Sequence, residues 1–276
     1  MTQPTRSFVV PTVVGRLHVQ DSGPAGDAVA LLWPSLFTDG PTSWGAQLTG
    51  LHDVGWRTLV IDPPGTGASP PPPGLFTMEE CAEAALQTLD AADAQRAALL
   101  GLSWGGFVAL RVALAAPKRV TGLVLSNTSA RRMSFIRRQR DRLVSMLIDL
   151  GVPGGPGRLV VPGLVGEQFR RQDPGFTAHL ADGINNLDTT GLARAVRSCL
   201  AERTSVVEAL DQITAPTLII AGAEDKALPP THSVELAERI AGAQLEVLPR
   251  VGHLAPREAP GAVTALLQQF LAPLSQ

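Results

Sequence analysis

Gly101-Leu102-Ser103-Trp104-Gly105 lies where a strand pattern changes into a helix pattern. The apolar run Ala97–Leu100 before it predicts a buried strand, and Gly105–Ala115 after it predicts a helix. Glycines on both sides of the serine permit a sharp turn that exposes the hydroxyl beside the positive end of the helix. A G-x-S-x-G motif in this context predicts that Ser103 is a nucleophile. A glycine-rich turn with an incidental serine is the alternative.

The alternation of strand and helix patterns continues over most of the chain. Further apolar runs predict a hairpin over Val9–Val19 and strands over Ala28–Trp33, Thr58–Ile61, Leu123–Leu125, Thr217–Ala221 and Leu245–Leu248. Helical spacing covers Glu79–Leu89, Ser233–Ile240 and Pro260–Leu271. This order predicts an α/β fold with a mostly parallel, doubly wound sheet and helices on both faces. Ligands of such sheets bind at the carboxyl ends of the strands.

The segment 131–202 breaks this rhythm, since it lacks strand patterns and carries a glycine- and proline-rich turn over 151–157. We expect it to form a helical cap, inserted into a core made of residues 1–130 and 203–276. Its first twelve positions hold six arginines: Arg131, Arg132, Arg137, Arg138, Arg140 and Arg142. A solvated helix face would explain them, because charge runs usually face water. The alternative is that one or two of these arginines form a binding site for a substrate carboxylate.

A serine hydroxyl becomes a good nucleophile only when a base removes its proton. Among five histidines, His253 follows the last predicted strand in a Gly-His loop, from which the imidazole can reach the sheet edge. His232, at the start of a predicted helix, is its competitor. The base needs a carboxylate that fixes its tautomer. Asp225 follows the preceding strand and is the candidate acid, with the adjacent Glu224 as its rival.

A tetrahedral intermediate needs two N–H donors aimed at its oxygen. The backbone N–H of Trp104 is one candidate, because it follows the nucleophile. The loop after the strand Ala28–Trp33 offers the second donor, Leu36 first and Ser35 next, whereas Pro34 has no N–H. Three side chains near this loop are candidate substrate contacts or, equally, core residues: Trp33, Ser35 and Phe37.

Composition narrows the classes of partner. The 276 residues are 45% hydrophobic and 17% charged, with a net charge of −2, which predicts a folded domain without a nucleic-acid partner. Cys81 and Cys199 form no metal-ligand cluster, so we expect no metal and no cofactor. Because no apolar run approaches 18 residues and residues 1–7 are polar, we expect no membrane partner and a cytoplasmic protein.

Taken together, these motifs resemble those of the α/β-hydrolase superfamily over nearly the whole chain. Asp62-Pro63-Pro64-Gly65-Thr66-Gly67-Ala68-Ser69 is similar to the family's D-x-P-G-x-G-x-S loop, and Gly252-His253 with Glu258 and Pro260 is similar to its histidine loop. The order Ser103, Asp225, His253 is also that of the family. Pro34-Ser35 replaces the His-Gly pair of many relatives, but enol-lactonase-like members carry a similar Ser-Leu segment. Branches with an aspartate nucleophile or cap tyrosines do not match, because Ser103 is a serine and the chain has no tyrosine.

The resemblance and the residues together predict a serine hydrolase that cleaves a small-molecule carboxylic ester or lactone through an acyl-enzyme. The same triad supports other reactions, namely carbon–carbon bond hydrolysis, perhydrolysis and amide cleavage. A non-catalytic small-molecule-binding protein on the same fold, or an interaction protein that uses the basic cap, are alternatives outside enzymes.

Overall fold

A computed structural model describes residues 2–151 and 155–275, with side chains from residue 5 onwards. Eight strands form one sheet in the order β1-β2-β4-β3-β5-β6-β7-β8. The strands are β1 Thr2–Thr12, β2 Gly15–Pro24, β3 Val29–Trp33, β4 Arg57–Asp62, β5 Ala97–Leu102, β6 Val120–Ser126, β7 Thr217–Gly222 and β8 Gln244–Leu248. β1 and β2 pair antiparallel and β2 joins β4 antiparallel, whereas β4, β3, β5, β6, β7 and β8 run parallel. The predicted mostly parallel α/β sheet is therefore confirmed.

Helices connect the parallel strands and cover both faces of the sheet. They are α1 Gly40–Trp44, α2 Leu48–Asp53, α3 Met78–Ala91, α4 Trp104–Ala115, α5 Phe135–Asp149, α6 Gly157–Leu164, α7 Glu167–Gln172, α8 Pro174–Asn185, α9 Thr189–Val196, α10 Thr231–Arg239, α11 Ala255–Glu258 and α12 Pro260–Leu271. Short 3-10 turns lie at Gly45–Gln47, Pro117–Arg119, Val207–Gln212 and Ala272–Leu274, and one π-helical turn at Arg197–Ala201. α3 begins with a reciprocal cap, in which Thr77 and Glu80 satisfy each other's backbone N–H groups.

Burial explains why the central strands read as unbroken apolar runs. Every residue of β3, β5 and β7 is buried, since helices pack on both sides of them. By contrast β8, at the edge of the sheet, is largely exposed or half-buried. Because β5, β6, β7 and β8 are parallel neighbours, their carboxyl ends lie side by side at one edge of the sheet. Ser103, Asp225 and His253 follow three of these strands.

The opening hairpin is longer than the predicted Val9–Val19. β1 and β2 pair from Thr2 to Pro24, with a register shift between Gln3 and Arg6. The sequence pattern underestimates the hairpin because β1 is an edge strand, whose exposed side carries polar residues and Pro11.

Between β6 and β7 the chain forms α5 to α9 and the π-helical turn, and we call Phe135–Ala201 the helical insertion. α5 packs against α9, and α6 packs against α8. Of the turn predicted over 151–157, residues 152–154 lie outside the described residues. Within residues 2–151 and 155–275, no helix combines the length and the apolar character needed to cross a bilayer.

Candidate active site

Ser103 occupies the sharp turn between β5 and α4. Its backbone has φ +54° and ψ −106°, in the left-handed region that side chains rarely adopt. The N–H of Ser103 donates to the Ser126 carbonyl at 2.9 Å, and the Thr128 hydroxyl donates to the Ser103 carbonyl at 2.8 Å. These bonds hold a strained conformation, as the nucleophile position of a strand-to-helix turn requires.

Close backbone contacts explain the two glycines of the G-x-S-x-G motif. A Cβ atom on Gly105 would lie 2.0 Å from the carbonyl oxygen of Trp33. A Cβ atom on Gly101 would lie 2.3 Å from the backbone of Gly105. The turn can therefore close only with glycine at both positions, in agreement with the tight turn expected from the motif.

Asp225 and His253 meet at the carboxyl ends of β7 and β8. The Nδ1 atom of His253 lies 2.7 Å from Oδ2 of Asp225, and both residues are buried. The same Oδ2 accepts from Nδ2 of Asn127 at 3.0 Å, while Oδ1 accepts from the N–H groups of Ala227 and Leu228, each at 2.9 Å. Four donors thus fix the carboxylate, so its orientation toward the imidazole is set before any substrate binds.

Burial alone would raise the pKa of Asp225. The charge of His253 and the hydrogen bonds from His253, Leu228 and Asn127 outweigh it, and they hold the pKa of this carboxyl below its ordinary value. Asp225 is accordingly ionised at neutral pH, as an acid that orients a base must be. The rival Glu224 makes no side-chain hydrogen bond within the described part of the chain, where its backbone N–H donates to the Val251 carbonyl.

The loop around His253 is held by one carboxylate. Glu258 accepts hydrogen bonds from the N–H groups of Gly252 at 2.8 Å and Leu254 at 3.0 Å, on either side of the histidine. It also accepts from Gly166 of the helical insertion at 3.0 Å. Burial raises the pKa of Glu258 despite these three bonds. Glu258 therefore joins the histidine loop to the insertion.

The backbone N–H groups of Trp104 and Leu36 are candidate oxyanion donors. Among residues 2–151 and 155–275, neither of them has a hydrogen-bond acceptor. The loop that carries Leu36 is tied to the turn, because the N–H of Gly105 donates to the Pro34 carbonyl at 3.1 Å. Ser35, the second choice, directs its N–H at the hydroxyl of Ser43, 3.4 Å away. The unpaired N–H groups favour Leu36 over Ser35 as the second donor.

Ser103 and His253 are not joined by a hydrogen bond within the described residues. There the imidazole bonds to Asp225, and the backbone N–H of His253 donates to the Leu164 carbonyl of the insertion at 3.1 Å. Ser103, Asp225 and His253 are only 6%, 4% and 2% exposed. The three candidate residues thus lie at one buried edge of the sheet, where electrostatic effects are stronger than in water.

The aromatic candidates near the site pack into the core. Trp33 contacts Trp104 edge-on with 5.8 Å between ring centroids, and Phe76 stacks on Trp104 at 5.5 Å. Trp33 is buried in this cluster together with Trp104, which favours the core interpretation of the Trp33 side chain. Phe37 is half-buried and has φ +75°. The hydroxyl of Ser35 is buried without a partner among the described residues.

The competing residues have other partners. His232 lies with Nδ1 3.2 Å from the hydroxyl of Ser129, and burial together with Arg203, Arg137 and Arg131 lowers the pKa of its imidazole. The contacts of five of the six arginines at positions 131–142 favour a structural role over a substrate site, while Arg132 is exposed. They pair Arg131 with Glu235, Arg137 with the Ala227 carbonyl, Arg138 with the Ala201 carbonyl, Arg140 with Asp141 and Arg142 with Glu202. Across the described ranges, no group of three or more His, Cys, Asp or Glu side chains is arranged to hold a metal.

Sequence reasoning missed the roles of two residues in this arrangement. Asn127, with φ +48°, connects the end of β6 to Asp225 and to the Gly252 carbonyl, 3.0 Å from its Nδ2. Glu258 holds the loop of His253. The position of Asn127 directly after a strand was a usable signal, because polar residues at strand ends meet at the ligand-binding edge. Glu258 belonged to the motif that resembles the histidine loop, but the motif did not show which N–H groups its carboxylate binds.

Comparisons with known proteins agree with this fold. Residues 30–266 match the model of the Alpha/beta hydrolase family. A putative carbamate hydrolase RutD of Variovorax paradoxus is 31% identical, over 94% of this chain and 97% of that protein. A thermophilic esterase from Thermogutta terrifontis has a TM-score of 0.88 at 28% identity, covering 98% of this chain and 100% of the esterase. The enol-lactonase from Burkholderia xenovorans has a TM-score of 0.88 at 26% identity, covering 96% and 99% of the two chains. The chain belongs to the alpha/beta hydrolase family and is an enzyme, a hydrolase.

Proposed function

We propose that this hydrolase cleaves a carboxylic ester or lactone through an acyl-enzyme on Ser103. The observation that carries the proposal is the buried bond between His253 and Asp225, beside a serine in the strained turn between β5 and α4. The similarity to an esterase and an enol-lactonase supports the substrate class. Two unpaired N–H groups near the serine suit the tetrahedral intermediates of acyl transfer.

In the proposed reaction, the hydroxyl oxygen of Ser103 attacks the substrate carbonyl while Nε2 of His253 takes its proton. Asp225 keeps the other proton on Nδ1 and stabilises the imidazolium that forms. The N–H groups of Trp104 and Leu36 hold the oxyanion. The imidazolium then protonates the leaving oxygen, and the acyl group stays on Ser103. His253 next activates a water molecule, which releases the acid and restores the serine.

We further propose that residues 131–202 act as a cap over a core of residues 1–130 and 203–276. Two backbone contacts support this division. The Leu164 carbonyl accepts from the N–H of His253, and the N–H of Gly166 donates to Glu258. A segment bonded to the backbone of the base and to the carboxylate that holds its loop would exclude water from the base and would shift to admit substrate.

Carbamate hydrolysis is the second candidate, because the relative with 31% identity is named a putative carbamate hydrolase. The same serine, base and oxyanion donors would serve a carbamate carbonyl. A panel of matched aryl acetates, γ- and δ-lactones and aryl carbamates distinguishes the two. We expect kcat/KM to be highest for an ester or lactone, and a tenfold preference for carbamates would contradict the proposed substrate class.

Intact-protein mass spectrometry with a fluorophosphonate probe tests the nucleophile. Wild type should gain one adduct, Ser103→Ala should gain none, and His253→Ala should react at least a hundredfold more slowly. His232→Ala is the matched control and should label at the wild-type rate. Labelling of Ser103→Ala at the wild-type rate, in folded protein, would refute the assignment.

A further inference from the structure

The outer face of α5 carries a group of large apolar side chains. Six of them, from this helix and its first following residue, are between 46% and 81% exposed: Phe135, Ile136, Leu143, Met146, Leu147 and Leu150. At 100° per residue they fall within one third of the helix circumference, which they share with the exposed Gln139. Single exposed apolar residues are ordinary, but six of them on one face of a helix mark an interaction surface, and we call them the apolar patch.

The inner face of α5 buries polar side chains, which is the reverse of the usual arrangement of a surface helix. Asp141 and Ser145 are buried on the inner side, together with Ile148. The hydroxyl of Ser145 donates to the Ala193 carbonyl at 2.8 Å, and Asp141 accepts from Arg140. A surface helix normally turns its apolar face to the core and its polar face to water. α5 turns much of its apolar side outward, so the fold itself leaves this surface uncovered.

Charge identifies the chemistry of the partner. Residues 131–150 hold six arginines and two aspartates, a net charge of +4 in a chain whose total is −2. Glu235 and Glu202, which pair with Arg131 and Arg142, lie outside this segment and reduce the local charge to +2. Arg140 and Arg142 border the apolar patch on its two sides, and their side chains are 63% and 37% exposed. A symmetric contact between two copies would bring two such cationic surfaces together, which opposes it. The surface therefore favours a partner that is apolar and negatively charged.

We propose that α5 lies on the surface of an anionic phospholipid bilayer. The apolar patch would enter the boundary of the acyl chains while the bordering arginines contact the headgroup phosphates, as for other basic amphipathic helices. The expectation of no membrane partner rested on the lack of a long apolar run, but a helix that lies flat needs no such run. None of the six patch residues belongs to the candidate active site, so the proposal does not depend on the proposed reaction.

Vesicle co-sedimentation of the full chain tests the proposal. The probes are vesicles of pure phosphatidylcholine and vesicles with about 30% phosphatidylglycerol, a fraction that gives a strongly negative surface. Leu143→Glu with Leu147→Glu places two charges in the apolar patch. Val13→Glu with Val247→Glu is the matched control, since these residues are 45% and 43% exposed elsewhere. Arg140→Gln, at an arginine that borders the patch, and Arg132→Gln, at an exposed arginine just before α5, test the charge.

We expect wild type to bind the anionic vesicles and to bind the neutral ones much more weakly. The patch variant should bind at least tenfold more weakly, each arginine variant about fivefold more weakly, and the matched control within twofold of wild type. Failure to bind anionic vesicles, or equal losses in the patch variant and the control, would overturn the proposal. Sedimentation velocity tests the alternative that a second copy of this chain covers the surface. If the wild type is a dimer that does not bind vesicles, and the patch variant is a monomer, the surface is a dimer interface and the membrane proposal is wrong.

Discussion

Oδ2 of Asp225 accepts hydrogen bonds from the imidazole of His253 at 2.7 Å and from the amide of Asn127 at 3.0 Å. One oxygen thus binds a residue after β8 and a residue after β6, so three strand ends share a single acceptor. Because the other oxygen is held by the backbone of Ala227 and Leu228, the carboxylate cannot rotate without losing several bonds. The position of the imidazole therefore depends on the charge and the acceptor capacity of Asp225.

Replacing Asp225 with asparagine should lower kcat by about three to four orders of magnitude, because an amide can donate to Nδ1 and favour the wrong imidazole tautomer. Glu224→Gln is the matched control, one residue away, and should keep kcat within twofold. Turnover of the best ester of the panel measures both variants. Near-normal turnover by Asp225→Asn, or an equal loss in Glu224→Gln, would show that Asp225 does not orient the base.

Glu258 should act as a positioning residue for His253. In Glu258→Gln an NH₂ group replaces one oxygen, so at least one of the three N–H donors loses its acceptor. We expect kcat to fall about tenfold to a hundredfold with a smaller change in KM, since small misplacements of reacting groups have effects of this size. A Glu167→Gln variant, altered at an exposed glutamate, should retain wild-type kcat. Unchanged kcat in Glu258→Gln would assign Glu258 a purely structural role.

The pH dependence of stability gives an independent check on Glu258. Its pKa is raised in the folded state, so the contribution of this group to stability is fully present below its ordinary pKa of 4.5 and is lost as pH rises through the folded value. The free energy of unfolding of wild type minus that of Glu258→Gln should therefore decrease as pH rises from about 4.5. Urea titrations of both proteins between pH 4 and 7 measure this difference, and an increase would contradict the burial argument.

Local patterns predicted the elements that carry the chemistry. The strand before Ser103, the helix after it and α12 over Pro260–Leu271 agree with the structure. They were predictable because the hydrophobic pattern of a buried strand or of a helix extends over consecutive residues. The placement of Asp225 near the sheet edge followed in the same way, from its position after a strand.

Long-range contacts were not predictable in the same way. Asn127 contacts Asp225 across 98 residues and Gly166 contacts Glu258 across 92, so no local pattern records either bond. The six arginines of residues 131–142 predicted a solvated helix face, but no local pattern showed that Asp141 and Ser145 would face inward. That orientation follows from tertiary contacts such as the bond of Ser145 to the Ala193 carbonyl. Local patterns therefore indicate which residues form helices and strands, but not which residues distant in the sequence contact each other.

Gly105→Ala should destabilise the fold strongly, because the added Cβ would lie 2.0 Å from the Trp33 carbonyl oxygen, an atom that cannot move without shifting β3. We expect a loss of about 3 kcal/mol or more, or failure to fold. Gly183→Ala is the matched control, since this glycine lies inside α8 with no atom within 4 Å of the added Cβ. It should gain up to about 1 kcal/mol. Thermal unfolding compares the two, and equal Tm values would contradict the packing argument.

The guanidinium of Arg203 is buried, and few polar contacts replace the water that it loses on folding. It lies 3.6 Å from the ring centroid of Phe107 and donates from Nη1 to the Ser129 carbonyl at 2.9 Å. Its Nε and Nη2 atoms have no partner within the described residues. Burial, followed by the charge of Arg111, lowers the pKa of Arg203. A buried charge without a carboxylate partner opposes folding, whereas the stacked side chain favours it.

Arg203→Met keeps an unbranched chain on Phe107 and removes the charge, so the free energy of unfolding should rise by about 1 kcal/mol. Arg203→Ala removes the packing as well and should lower it by about 2 kcal/mol. The exposed Arg16→Met is the control and should stay within about 0.5 kcal/mol of wild type. Urea unfolding at neutral pH measures all three. If Arg203→Met were as unstable as Arg203→Ala, the bond to Ser129 and the cation–π contact would stabilise the fold by more than burial of the charge costs.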